Sequence, residues 1–173
     1  MKYESVLFIG RFQPFHLGHL EIIKKYSKNC SIIKIVIGSK DKSFEKCNPF
    51  TYKEREEMVR LALYDSGILN YEIYHIKDVV SDDEWRENIK SSVKGFDALI
   101  TGNKSVKEIF CLENVDIDYF DEEISRYKGL SSTQIRKDWL NSEERSGLPV
   151  SVFYYLKKIR AFERLKDMNK VKE

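Results

Sequence analysis

Ten residues near the amino terminus, Gly10-Arg11-Phe12-Gln13-Pro14-Phe15-His16-Leu17-Gly18-His19, have the types and spacing that handle phosphate. They follow the apolar run Val6-Leu7-Phe8-Ile9, which reads as a buried strand, and lead into a helical pattern with Leu20, Ile23 and Tyr26. Gly10 at the strand exit lets backbone N–H groups approach an anion, and a helix start adds partial positive charge. Arg11 supplies a full charge beside them. His16 and His19 are three residues apart and share one face of a helix. The competing reading is an ordinary helix start, with one histidine capping and the other packed.

A second constellation lies near the other end, Gly129-Leu130-Ser131-Ser132-Thr133-Gln134-Ile135-Arg136. Ser131 and Gln134 have the spacing of a capping box. A capped helix start with hydroxyls at Ser132 and Thr133 and a cation one turn later, Arg136, again favours phosphate.

The elements that must position these groups alternate. The sequence predicts strands over Ser5–Ile9, Ile32–Ile37, Tyr71–Ile76, Phe96–Ile100 and Val115–Tyr119. Between and after them it predicts helices over His16–Lys28, Thr51–Asp65, Asp82–Val93, Ser105–Cys111, Thr133–Asn141 and Val150–Lys166. Capping boxes are expected at Thr51 with Glu54 and at Ser81 with Glu84. This order implies an α/β fold, a parallel sheet with helices on both faces. Ligands of such sheets bind beyond the carboxyl ends of the strands, at a topological switch point. Gly10, Gly38-Ser39 and Gly102-Asn103 all fall at strand exits, so three loops can face one pocket.

Composition sets the bounds. At 173 residues, 42% apolar and 34% charged, residues 1–173 are expected to form one domain, with 149–173 a C-terminal helix and a frayed tail. No apolar run approaches a membrane span, and Met1 runs almost directly into a strand, so neither a membrane nor a leader peptide is expected. A net charge of +2 gives no argument for nucleic acid as a partner. Cys30, Cys47 and Cys111 are scattered, with no Cys-x-x-Cys pair, which fits a reducing cytoplasm. His75 stands apart from the other histidines, and no zinc site is expected.

His16-Leu17-Gly18-His19 resembles the His-x-Gly-His signature of the nucleotidylyltransferase superfamily and, more distantly, that of class I aminoacyl-tRNA synthetases. The full ten-residue string resembles archaeal-type nicotinamide-mononucleotide adenylyltransferases. Ser131–Arg136 is similar to their second signature, Ser-x-Thr-x-x-Arg, and differs from the Lys-Met-Ser-Lys-Ser loop of the synthetases. Further similarity runs through Ile37-Gly38-Ser39, Asn48-Pro49-Phe50-Thr51 with Glu54-Arg55, Thr101-Gly102-Asn103 in place of Ser-Gly-Asn, and Phe162-Glu163-Arg164-Leu165. The match leaves no room for the Nudix domain fused to some bacterial relatives.

The resemblance implies a Rossmann-like fold of nucleotidylyltransferase type and the reaction of ATP with nicotinamide mononucleotide to give NAD and pyrophosphate. It implies that Arg11, His16, His19 and Arg136 are catalytic, and that Gly10, Gly102, Asn103, Ser132 and Thr133 join them in holding ATP. Phe12, Gln13, Ser39, Asp82 and Trp85 would form the mononucleotide side, with Trp85 stacked on the nicotinamide; the bland alternative for Trp85 is a core anchor. Mg²⁺ would be held mainly by the ATP phosphates rather than by side chains, and the chain would assemble into a homo-oligomer. Two positions depart from the pattern: Asp82, where the archaeal enzymes commonly carry asparagine, and Cys47, where some relatives carry a basic residue. The alternatives are a nucleotidylyltransferase with another acceptor, such as phosphopantetheine or flavin mononucleotide, and a nucleotide sensor without turnover.

Overall fold

Among the described residues, five strands form one parallel sheet. They are β1 (Tyr3–Gly10), β2 (Cys30–Ile37), β3 (Tyr71–His75), β4 (Ala98–Thr101) and β5 (Asp116–Tyr119), in spatial order β3-β2-β1-β4-β5. The computed structural model describes residues 2–111, 113, 115–119, 130–142, 145 and 147–170. Gly129, the first residue of the second motif, lies outside them.

β1 is central because its apolar run is buried on both faces, as parallel strands require. Phe8 pairs with Ile35 on one side and Ile100 on the other. Val6 and Phe8 point into a core shared with α1 (Leu17–Ser27) and α2 (Tyr52–Asp65). The same face is covered by α5 (Ser132–Asn141), α6 (Val150–Lys158) and α7 (Ala161–Lys170), through Ile135, Trp139, Leu156 and Phe162. Leu7, between them in sequence, faces the opposite core with Ile89 and Val93 of α3 (Asp82–Val93) and Val106 and Phe110 of α4 (Lys104–Phe110). Each fully buried large apolar side chain contributes roughly 1.5–3 kcal/mol, so the period of two in β1 fixes both helix layers. The chain leaves β1 in one direction through α1 to β2 and returns later to β4 on the other side. That reversal makes the switch point, beyond the ends of β1 and β4.

The α/β class, the strand alternation and the helix starts agree with the sequence expectations to within one or two residues at most ends. Two expectations at the carboxyl end are corrected. The single helix expected over Val150–Lys166 is two helices, α6 and α7, separated at Ile159 and Arg160. Arg160 has a φ of +56°, which turns the chain so that Val152 and Leu156 on α6, and Phe162 and Leu165 on α7, all reach the core. No glycine or proline marks this break; burial of the two apolar faces offsets the left-handed strain, about 1–2 kcal/mol. The expected helix end at Lys166 is corrected too, because α7 continues to Lys170, while residues 171–173 lie outside the described part.

Candidate active site

A cavity of about 590 Å³ opens beyond the ends of β1 and β4. It brings together three segments far apart in sequence. Gly10, Arg11, Phe12, Gln13, His16 and His19 come from the β1 exit, Gly102 and Asn103 from the β4 exit, and Ser132, Thr133 and Arg136 from the start of α5. No aspartate or glutamate is among the residues described as lining it, whereas Arg11, Lys104 and Arg136 are. Such a wall attracts anions.

Local sequence explains the first segment. A Cβ at Gly10 would stand 2.7 Å from the Phe12 ring, so only glycine lets that ring fold under the strand exit. Phe12, at φ +52°, buries its ring edge-on to His19, with centroids 4.9 Å apart. The Gln13–Pro14 peptide is cis. His16 then starts α1, and its ring stacks on that of His19 at 3.6 Å and 21°. His19 Nδ1 accepts the backbone N–H of His16 at 3.2 Å. An accepting Nδ1 carries no proton, so neutral His19 carries it on Nε2 and keeps a donor available. Burial lowers His16 to about 4. Burial, and then the neighbouring His16, hold His19 well below its ordinary value. Both rings are therefore neutral at pH 7 in the free protein. His16 Nδ1 is buried without a hydrogen-bond partner.

The start of α5 is stitched to this loop. Ser131 caps the helix by accepting Gln134 N–H at 3.1 Å, but the Gln134 side chain turns to Asp138, so the expected reciprocal box is only half made. Likewise Ser81 accepts Glu84 N–H at 3.4 Å at the head of α3, while Thr51 and Glu54 form the full reciprocal pair. Ser132 Oγ donates to Pro14 O at 3.0 Å, and Arg136 donates to Gln13 O at 2.6 Å and to Thr133 Oγ1 at 3.4 Å. Burial lowers Arg136, and Arg11 adds to the effect, but the guanidinium stays charged at neutral pH. At the β4 exit, Thr101 Oγ1 accepts Asn103 N–H at 3.0 Å, and Asn103 Oδ1 caps α4 through Ser105 N–H at 2.9 Å.

Two supporting residues have roles that the sequence does not display. Gln13 lines the cavity, yet its carboxamide is occupied: Nε2 donates to Phe50 O at 3.2 Å and Oε1 accepts Phe50 N–H at 3.0 Å. Arg55, fully buried on α2, donates to the carbonyls of Gly38 (2.6 Å), Arg11 (2.9 Å) and Ser39 (2.9 Å). It thereby ties the exits of β1 and β2 together, and burial brings its pKa down to about 10. Lys104, exposed at the cavity rim, lines it as well; its sequence signal is a lysine directly after Gly102-Asn103 at a helix start.

Ser39, Asp82 and Trp85 do not line this cavity. Ser39, at φ +51°, donates to Asp78 Oδ1 at 3.0 Å next to Gly38, whose N–H reaches Gly10 O at 3.0 Å. Trp85 stands edge-on to Phe110 at 6.4 Å, half-buried against the second core. Asp82 is exposed in the first turn of α3, where the helix dipole favours an acid.

The sequence model of the cytidylyltransferase-like family matches residues 7–138. The chain is similar to the nicotinamide-nucleotide adenylyltransferase of Methanolobus tindarius, 35% identical over 164 residues, covering 94% of this chain and 93% of that protein. It is similar to that of Methanococcus vannielii, 37% identical over 162 residues, with 93% and 92% covered. Among solved structures it is similar to a bifunctional NMN adenylyltransferase/ADP ribose pyrophosphatase from Francisella tularensis, complexed with AMP and a manganese ion. The TM-score is 0.78 at 25% identity, and the match covers 96% of this chain but 52% of that one, so this chain spans about half its length. The cavity at the switch point and these matches together show that the chain belongs to the cytidylyltransferase-like family, among the nicotinamide-nucleotide adenylyltransferases.

Proposed function

We propose that this protein transfers the adenylyl group of ATP to nicotinamide mononucleotide, forming NAD and releasing pyrophosphate. The observation that carries this reading is the cavity wall: two stacked neutral imidazoles and three cations, with no carboxylate among the described lining residues. A phosphate attacking a phosphate needs such a wall. The 5′-phosphate of the mononucleotide is already anionic, so its oxygen attacks the ATP α-phosphorus without a general base. The bond from the α-phosphorus to the bridging oxygen breaks, and pyrophosphate leaves with that electron pair. Catalysis is then alignment plus stabilisation of charge.

Arg11 and Arg136 neutralise the phosphates in this reading, and Ser132, Thr133 and the α5 start donate to them. His19 Nε2–H and His16 donate to the oxygens that gain charge, while Gly10, Gly102 and Asn103 let the nucleotide approach the strand exits. Phe12 and Gln13 shape the mononucleotide side, which extends over the β2 exit towards Ser39, Asp82 and Trp85. Mg²⁺ enters with the substrate in this reading, as MgATP, held mainly through the phosphate oxygens. Residues 1–173 act as one nucleotidylyltransferase domain, in a cytoplasmic homo-oligomer. No helix among the described residues is long and apolar enough to cross a membrane.

The test is NAD formation by the purified chain from MgATP and nicotinamide mononucleotide, with His19→Ala alongside. Wild type is expected to turn over, and losing a transition-state donor is expected to lower kcat by about 10²- to 10³-fold. Turnover with phosphopantetheine or flavin mononucleotide alone would overturn the acceptor, and no turnover with any acceptor would favour a sensor.

A further inference from the structure

Arg164, on α7, lies well past Arg136, the last of the described cavity-lining residues, and its contacts nonetheless lead back to the cavity. Its guanidinium makes a two-pronged pair with Glu54, at 2.7 and 2.9 Å, with both side chains largely buried. The same carboxylate accepts Thr51 N–H at 2.8 Å and the Thr51 hydroxyl at 3.1 Å. Arg164 also donates to Pro49 O at 3.2 Å and lies over the rings of Phe44 and Phe50, at 5.0 and 5.9 Å. Phe50 is the residue whose N–H and C=O hold the Gln13 carboxamide, and Gln13 O in turn accepts from Arg136. An unbroken series of contacts therefore runs from α7 through Pro49 and Phe50 to the cavity wall.

Stapling α7 to α2 would need only Glu54. The additional contacts go to residues 44–50, a segment outside any helix or strand that carries Cys47 to the cavity. Its own backbone bonds are the reciprocal pair between Glu45 and Asn48, at 3.2 and 2.9 Å, so its placement is set from outside. Meanwhile α7 is anchored independently by Phe162 and Leu165, 1% and 2% exposed, so removing Arg164 leaves the helix docked.

We propose that Arg164 is a positioning residue, holding residues 44–50 and, through Phe50, the Gln13 wall against which the acceptor mononucleotide is aligned. This rests on the adenylyl-transfer reading above. Arg164 reaches Glu54, Pro49, Phe44 and Phe50, and the series meets the ATP side only at Arg136, through the Gln13 backbone carbonyl rather than its carboxamide, so the ATP-side groups are expected to move less than the Gln13 wall.

The test is Arg164→Gln beside Arg164→Lys, with steady-state kinetics and amide hydrogen exchange on the full chain. The Gln variant is expected to raise KM for nicotinamide mononucleotide about five- to tenfold, short of the roughly hundredfold cost of a full 1 Å misplacement. KM for ATP is expected to change less than about twofold on the same grounds. Exchange should quicken in peptides covering residues 44–51 and Gln13 and stay unchanged over 98–110. The Lys variant, which keeps the cation and one donor, should fall between. A variant with lowered melting temperature but unchanged acceptor KM and unchanged exchange at 44–51 would overturn the proposal, leaving Arg164 a staple. Should the Gln variant not fold, the Lys variant decides by the same two readings. If wild type makes no NAD, the functional reading fails, while the exchange arm still judges the link from Arg164 to the loop.

Discussion

His16 and His19 stack at 3.6 Å, and no carboxylate among the described cavity residues holds a proton on either ring. Burial favours the neutral form of both, which suits donors that must not compete as fixed charges with the arginines. The same depression makes stability depend on pH. An unfolded histidine binds its proton near pH 6.5, whereas folded His16 resists until about 4, so protons bind preferentially to the unfolded chain in between. Stability is full above pH 6.5 and is lost as pH falls towards 4. For His16 alone the loss between pH 7 and pH 5 is about 2 kcal/mol, with His19 adding in the same direction. Urea unfolding at the two pH values measures it, and His16→Asn should flatten the slope; an undiminished slope would contradict the assignment. The imidazole pair was legible because its spacing is local. Gln13 and Arg55 were legible only as residue types, because their partners are backbone carbonyls and amides brought in by other elements.

At the scale of elements, the proposed reading separates helix formation from phosphate chemistry within a few residues of α5. Ser131 caps the helix from the exposed surface, so Ser131→Ala should cost about 1 kcal/mol in urea unfolding with little change in KM for ATP. Arg136 sits one turn inside, and the helix is docked without it by Ile135 and Trp139, 2% and 1% exposed. Arg136→Gln should weaken ATP use by roughly 10- to 100-fold, the range for a lost hydrogen bond to a charged group, with a smaller loss of stability. Opposite profiles would mean that the cap, not the cation, serves the substrate. The contrast matches what the sequence displayed: caps and strand periodicity are short-range signals, so element starts were readable. The α6–α7 break was not, because Arg160 adopts its left-handed turn for the sake of Phe162 and Leu165, which meet the core only in three dimensions. Trp85 carries two readings in the sequence, a nicotinamide platform by resemblance and a core anchor, and local spacing does not show its edge-on neighbour Phe110, which comes from the following helix.

For the whole molecule, the parallel order β3-β2-β1-β4-β5 brings three sequence-distant segments to one cavity, the phosphate cradle of the proposed reaction. None of the three is a site alone. The β1 exit holds the histidines and Arg11, the β4 exit holds Gly102 and Asn103, and α5 contributes its start and Arg136. A triphosphate spanning them should therefore stabilise the entire fold rather than one loop. At a MgATP concentration one hundred times Kd, binding contributes about 2.7 kcal/mol. At roughly 2–4 °C per kcal/mol for a domain of this size, the melting temperature should rise by about 5–10 °C. Hydrogen exchange in the same samples should slow at residues 10–19, 101–104 and 130–136 together, because a ligand held by all three must be released before any one opens fully. A comparable rise in melting temperature with exchange unchanged over 130–136 would show that the nucleotide stops short of α5, and Arg136 would then lose its place in the cradle.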